Sequence, residues 1–237
     1  MIGENDKGVV LVLSKKNIVL SLTANILIVI ATIGVVISYF CGNDGEYHIP
    51  PTFRFCLFTT DSNILCMLTA LILACFEVRY LVTGKAIPKL AVWLKFVGST
   101  AVAVTFSVVV LFLGPMTDFV SMVFGGTSVY MHFAGPLLGF VSFCFWENIH
   151  PVSKKMLLPA LVPTLIYGIV YLVMVVAIGS ERGGWIDFYG FNIGGFWYLT
   201  CLAIWLLTLG LAAILRLIHN RMTKTASAKT VTQQDTH

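Results

Sequence analysis

The chain of 237 residues is 58% hydrophobic and only 11% charged, with a mean hydropathy of +0.90. Soluble globular chains carry about 25% charged residues, so this chain has too little charge to cover a water-facing surface. Its net charge of +4 does not suggest nucleic acid, because the basic residues lie in short loops between apolar segments, where they orient a membrane protein. The composition excludes a soluble globular protein and predicts a membrane-embedded one without a nucleic-acid partner.

Six apolar segments follow one another along the chain. A hydrocarbon core of about 30 Å is crossed by about 20 apolar residues in a helix. The predicted spans cover residues 17–40, 55–82, 88–113, 128–146, 157–178 and 196–218. We therefore predict an all-α integral membrane bundle of six helices. The transmembrane domain occupies residues 17–222, between a cytoplasmic N-terminal segment at 1–16 and a disordered cytoplasmic tail at 223–237.

The basic residues predict the orientation of the bundle. With the N-terminus inside, only Arg54 and Arg182 fall on the outer side, and the other thirteen lysines and arginines fall on the inner side. The positive-inside rule then places both termini in the cytoplasm. The inner group includes Lys7 and Lys95. We expect no buried acid–base series in the spans, which disfavours a proton-coupled transporter or a voltage sensor.

The six cysteines suggest no metal site. No C-x-x-C or H-E-x-x-H pattern is present, so a structural zinc site is not expected, and no cofactor is required. Cys41 and Cys56 flank the first outer loop and are candidates for a disulfide, although their spacing does not fix the geometry that a disulfide needs.

Polar residues share one face of the second span, in the segment F-T-T-D-S-N. Thr59, Ser62, Asn63 and Cys66 recur at i, i+3, i+4 and i+7, which places them on one side of a helix. Such residues often bond to their own helix backbone or join two helices. They are also the residue types of a nucleophile and its hydrogen-bonding neighbours.

His132 is the histidine that lies within a predicted span, in Y-M-H-F-A-G-P. Pro136 follows one turn later and frees a backbone carbonyl. Helical rise places both His132 and Thr59 about a turn inside the outer ends of their spans, in the outer third of the membrane. A histidine at this depth is either a helix–helix hydrogen-bonding group or a functional site.

These motifs together resemble a known family. F-T-x-x-S-N at 58–63, His132 with Pro136, Pro163 with Tyr167, and the aromatic loop at 185–189 occur in this order. The ordered set resembles the androgen-induced-gene and androgen-dependent TFPI-regulating protein family of membrane threonine hydrolases, and most closely its bacterial Pr6Pr-type relatives. The resemblance implies six transmembrane helices, cytoplasmic termini and a multi-pass protein of a bacterial plasma membrane.

The resemblance also implies an activity, the hydrolysis of fatty acyl esters. The family's nucleophile falls on Thr59 and its histidine base on His132. In the expected reaction, His132 takes the Thr59 proton as the hydroxyl attacks the ester carbonyl, and water then releases the acyl group. Ser62 and Asn63 are the candidates to stabilise the oxyanion, with Tyr167 as a substrate-binding candidate and Asp187 as a candidate to orient His132.

The residues leave other functions open. The same Thr59 and His132 pair would serve an acyltransferase that passes the acyl group to a lipid alcohol. Alternatively, the chain is a carrier or a structural membrane protein in which both residues only join helices. For either enzyme we expect a lipid substrate that diffuses in from the bilayer, and the oligomeric state is not predicted.

Overall fold

The computed structural model describes residues 15–41 and 50–234. Six of its helices are long and apolar enough to cross a membrane: α1 (Lys15–Cys41), α2 (Phe58–Thr83), α3 (Lys89–Met116), α4 (Val129–Trp146), α5 (Lys154–Ile178) and α6 (Trp197–Gln234), the last with its apolar span at Trp197–Thr225. The described residues contain no strand. The prediction of an all-α protein with six apolar helices is confirmed. Lys7, the other residues at 1–14, and positions 42–49 and 235–237 lie outside the described residues.

The final helix is longer than the sequence predicted. α6 continues to Gln234, past the span end predicted at residue 218 and through most of the segment predicted as a disordered tail. No glycine or proline follows Gly210 to end the helix, and the alanine, lysine and glutamine residues of this segment are good helix formers. The loss of apolar residues marks where the span ends, whereas the helix itself continues.

α3 is the central helix of the bundle. Val92, Phe96 and Val102 are fully buried on it. Gly98 lies against α2 so closely that a methyl group there would overlap the Thr69 hydroxyl and lie 3.0 Å from the Cys66 Cα. Small residues permit this close approach of two membrane helices, and the contact fixes the register between α2 and α3.

Three of the long helices, α3, α4 and α5, contain π-helical turns, and one of these turns carries His132. Val129–Ala134 of α4 and Val109–Leu113 of α3 form π-helical turns. In α4 the wide turn comes directly before Gly135 and Pro136, and proline lacks the N–H that would bond to the carbonyl of His132. Wide turns of this kind occur frequently at functional sites, and this one carries His132.

The two ends of the bundle differ in packing. We call the end that carries Lys15 and Thr225 the terminal end, and the other the far end. The terminal end holds the main apolar core, which includes Ile18, Phe96 and Phe143. The far end holds an aromatic cluster around Tyr171 and Phe191. Both cavities described below lie on the far half, beside this aromatic cluster.

Short helices cover the far end between the spans. Pro51–Arg54 precedes α2, and Phe119–Phe124 lies between α3 and α4. Asp118 begins the second of these helices, and its carboxylate accepts a hydrogen bond from the Val120 N–H at 3.1 Å. This helix lies between the predicted spans 88–113 and 128–146, where the sequence predicts no helix. The short helix matters because one of its carbonyls contacts His132.

Candidate functional site

Thr59 lies in the wall of a cavity between α2, α3, α5 and α6. We call it the threonine cavity; its volume is about 500 Å³. Most of its lining is apolar, and its polar lining residues include Thr59, Thr105, Tyr167 and Tyr189. Ligand sites of proteins are commonly apolar cavities of a few hundred cubic ångströms with a few polar groups. Thr59 therefore lies beside a space in which an apolar chain has room to lie.

The Thr59 hydroxyl has a phenol as its neighbour. The side chain of Tyr189 is hydrogen-bonded to Thr59, and the phenol oxygen also accepts the Phe58 N–H at 3.1 Å. A phenol keeps its hydrogen at neutral pH, and burial raises the pKa of Tyr189 further, to about 12. Tyr189 was not among the predicted site residues. It supplies a neutral hydrogen-bond donor beside the candidate nucleophile.

Ser62 and Asn63 use their donors inside the bundle. The Ser62 hydroxyl lies 3.1 Å from the Thr59 carbonyl oxygen and 2.7 Å from the Thr105 hydroxyl. The Asn63 amide donates to the carbonyls of Thr59 at 2.8 Å and of Met131 at 3.0 Å. These bonds hold α2 against α3 and α4. Both residues are near Thr59 as predicted, but neither offers a free donor for an oxyanion in this arrangement.

His132 is oriented by a backbone carbonyl. Its Nδ1 lies 2.6 Å from the Met122 carbonyl oxygen. A carbonyl only accepts hydrogen bonds, so Nδ1 carries the hydrogen and Nε2 keeps a lone pair. No hydrogen bond joins His132 to Thr59 among the described residues. The bonds of Asn63 bring the backbone of Thr59 to that of Met131, one residue before His132.

Asp187 does not orient His132, contrary to the sequence prediction. Its carboxylate accepts hydrogen bonds from the Tyr171 hydroxyl at 2.9 Å, the Phe191 N–H at 2.7 Å and the Asn192 N–H at 2.8 Å. The aspartate thereby folds the loop between α5 and α6 back on itself. This folding presents Tyr189 to Thr59, so Asp187 acts on the cavity through the loop.

Tyr167 forms a common wall between two cavities. Its hydroxyl donates to the Cys56 carbonyl at 2.7 Å, which ties α5 to the segment before α2. Its ring lines the threonine cavity and a second cavity of about 430 Å³. Tyr167, a predicted substrate-binding residue, therefore lines both cavities. Cys41 and Cys56 are both free thiols, so the structure does not contain the candidate disulfide.

A buried charged cluster near the terminal end contradicts the expectation that no acid–base series is buried. Glu77, Lys95 and Glu147 are all fully buried. The Lys95 ammonium donates to the Asn25 amide oxygen at 2.8 Å and lies 3.7 Å from a Glu147 carboxylate oxygen. Lys95 had been assigned to the inner charges that set orientation. Because Lys95 lies close to the start of α3, the sequence indicated a charge at the membrane surface, whereas the side chain points into the bundle.

The partners of the acids come from the first and fourth helices. Glu77 accepts from the Ser21 hydroxyl and from the Asn25 amide, the latter at 3.2 Å. Glu147 accepts from the Ser142 hydroxyl at 2.7 Å through one oxygen, whereas its other oxygen is buried without a partner in the described residues. Ser21 and Asn25 are spaced i, i+4 on one face of α1, and this was the available signal for a buried polar partner.

Comparisons with protein-family models, with curated proteins and with solved structures found no match to this chain.

Proposed function

We propose that this protein is an intramembrane hydrolase of lipid acyl esters, with Thr59 as the nucleophile and His132 as the base. The observation that carries the proposal is the position of Thr59 in the wall of an apolar cavity of about 500 Å³ among membrane-crossing helices. An acyl chain in this cavity would bring its ester to a hydroxyl. The six apolar helices make a lipid of the surrounding bilayer the natural substrate.

In the proposed reaction, the Thr59 oxygen forms a bond to the ester carbonyl carbon while its proton passes to His132 Nε2. The ester C–O bond then breaks, and the imidazolium gives its proton to the departing alcohol. Water releases the acyl group from Thr59 in a second step with the same base. The hydrogen-bond acceptor that this scheme needs is Nε2, which the Met122 carbonyl leaves unprotonated.

The proposed nucleophile and base are not hydrogen-bonded to each other among the described residues. Thr59 is hydrogen-bonded to Tyr189 and His132 to the Met122 carbonyl, so the proposed transfer requires a rearrangement that brings the two side chains together. Hydrogen bonds of catalytic groups often tighten only when the substrate binds. The Tyr189 phenol, which keeps its hydrogen at neutral pH, replaces Ser62 and Asn63 as the proposed donor to the oxyanion.

The experiment that tests the proposal is labelling of the detergent-purified protein with a lipid-like fluorophosphonate. We expect the wild type and Thr59→Ser to be labelled, because both keep a hydroxyl at this position, and Thr59→Ala and His132→Ala to lose labelling. Thr60→Ala is the matched control, since Thr60 is the adjacent threonine but is buried on another face of the helix. Equal labelling of wild type and Thr59→Ala would overturn the proposal.

An acyltransferase with the same two residues would give the same labelling result. Analysis of the products separates the two activities. Free fatty acid as the main product supports the hydrolase, whereas transfer of the acyl group to an added lipid alcohol supports the acyltransferase. A folded wild type that is not labelled and turns over no ester supports a carrier, in which the threonine cavity only binds lipid.

We also propose a location for the protein, the plasma membrane of a bacterial cell. The support is the family resemblance of the sequence, together with six helices that indicate a multi-pass membrane protein.

A further inference from the structure

The second cavity lies between α2, α5 and the loop that joins α5 to α6. We call it the aromatic pocket; its volume is about 430 Å³. Four aromatic side chains line it, those of Phe55, Phe58, Tyr167 and Trp185, together with the carboxylate of Asp61. Asp61 is in the first turn of α2, near the far end of the bundle. The pocket thus combines π faces with one negative charge at the level of a membrane interface.

The carboxylate of Asp61 has no hydrogen bond or ion pair within residues 15–41 and 50–234. The other polar groups of the lining are already engaged. The Tyr167 hydroxyl donates to the Cys56 carbonyl, and the Ser62 hydroxyl is shared between Thr59 and Thr105. The pocket therefore offers a ligand one anionic group and aromatic surface, and few further hydrogen-bonding atoms.

We propose that the aromatic pocket binds a quaternary ammonium group carried on an apolar chain. Aromatic faces attract cations, and pockets lined by aromatic side chains recognise quaternary ammonium ligands in particular. A primary ammonium has three N–H donors and requires several acceptors when it leaves water, whereas this lining supplies only Asp61. An anionic group in the same place would be repelled by the carboxylate.

The attached chain has a path along the outside of α5. Ile166 and Val170 line the pocket and are exposed by 58% and 43% of their surfaces. Both lie within a helix apolar enough to cross a membrane, so a chain that leaves the pocket meets apolar side chains that face the bilayer. This geometry favours a lipid-borne cation over a small soluble one, because the chain adds buried apolar area to the binding.

The site is separate from Thr59 but adjoins its cavity. Phe58 and Tyr167 line both cavities, so a ligand in the aromatic pocket lies on the other side of one aromatic wall from the threonine. Binding of the cation requires Asp61 and the rings and does not require Thr59 to react. The proposal therefore stands whether or not the chain is a hydrolase.

The test is titration of the intact protein in maltoside detergent with dodecyltrimethylammonium, followed by microscale thermophoresis. We expect Asp61→Asn to weaken binding about tenfold, since it removes the charge and keeps the shape. Glu181→Gln is the matched control, because Glu181 is an exposed acid in the loop at the same end of the bundle and does not line the pocket. Its binding is expected to equal that of the wild type.

Three further ligands and one variant complete the test. Dodecylamine and a neutral C12 alcohol are expected to bind more weakly than dodecyltrimethylammonium. Tetramethylammonium, which has no chain, is also expected to bind more weakly; equal binding would mean that the pocket takes a small soluble cation rather than a lipid. Thr59→Ala is expected to bind as the wild type does, even if it loses fluorophosphonate labelling. Equal binding by Asp61→Asn and Glu181→Gln, or no preference for the quaternary cation over the neutral chain, would overturn the proposal.

Discussion

At the scale of single residues, the role of His132 depends on which of its nitrogens matters. Nδ1 donates to the Met122 carbonyl and so joins α4 to the short helix Phe119–Phe124. A structural histidine needs only this bond, whereas a base needs the lone pair on Nε2. The two roles use opposite sides of the same ring, and side chains that imitate one nitrogen at a time can separate them.

We expect His132→Asn to keep the fold and to lose fluorophosphonate labelling. The asparagine amide nitrogen imitates Nδ1 and can still donate to the Met122 carbonyl, but nothing replaces Nε2. The melting temperature in detergent and the extent of labelling should therefore respond differently. If His132→Asn is labelled as strongly as the wild type, His132 only joins helices and another group must take the threonine proton.

Lys95 and Glu147 form a fully buried ion pair with their charged atoms 3.7 Å apart. Removal of one partner of such a pair costs about 3–5 kcal/mol because it leaves the other charge buried without compensation. We expect Lys95→Met to lower the melting temperature strongly, and the double variant Lys95→Met with Glu147→Gln to recover most of the loss. Fluorescence-monitored unfolding in detergent measures both.

The exposed lysine at the start of the same helix, Lys89, provides the control for this experiment. Lys89→Met is expected to change stability by less than about 0.5 kcal/mol, as surface substitutions usually do. A double variant no more stable than Lys95→Met would show that Lys95 stabilises the bundle through Asn25 rather than through its charge on Glu147.

These residues also show what the sequence can predict. Thr59, Ser62 and Asn63 were placed together because a helix of period 3.6 puts them on one face, and the structure has them there. Tyr189 was missed because its approach to Thr59 depends on a loop folded by Asp187. Met122 was missed because no sequence pattern between the third and fourth spans indicates a backbone carbonyl that orients a histidine.

At the scale of helices, apolar length predicted the spans well. A helix of about 20 apolar residues is long enough to cross a membrane, and a chain with so few charged residues is expected to place such helices there. Length gave no information on which helix is central. α3 takes that position through a small residue, Gly98, at its contact with α2. Lys95 on the same helix points inward because of this packing, and counting basic residues along the sequence could not predict that direction.

We expect Gly98→Ala to destabilise the bundle by about 1–3 kcal/mol, the usual cost of an added methyl group in a packed interior. The new methyl would overlap the Thr69 hydroxyl and press on the α2 backbone at Cys66, so α2 and α3 would have to separate. Loss of melting temperature in detergent measures this effect.

The matched control lies on α1, where nothing surrounds Gly34 within 4 Å of an added methyl group. Gly34→Ala is expected to leave stability unchanged or to raise it by up to about 1 kcal/mol, because alanine favours a helix over glycine. If both variants melted at the wild-type temperature, the α2–α3 contact would be looser than the structure describes.

At the scale of the whole molecule, the two ends of the bundle have different chemistry. The terminal end carries most of the basic residues and the buried charged cluster, and the far end carries both cavities and the aromatic loop. The orientation of the bundle therefore decides which membrane leaflet supplies a ligand to the cavities. With both termini in the cytoplasm, as the basic residues predict, the cavities open towards the outer leaflet.

We expect alkaline phosphatase fused within the turn at Gly183 to be active in a bacterial host, and the same enzyme fused at Gly84 to be inactive, because phosphatase folds only outside the cytoplasm. Both glycines have positive φ and open space around them, so they are comparable insertion points at the far and terminal ends. Green fluorescent protein at His237 is expected to fluoresce. Activity at Gly84 instead of Gly183 would invert the bundle and move the substrate of Thr59, and any quaternary ammonium lipid beside Asp61, to the inner leaflet.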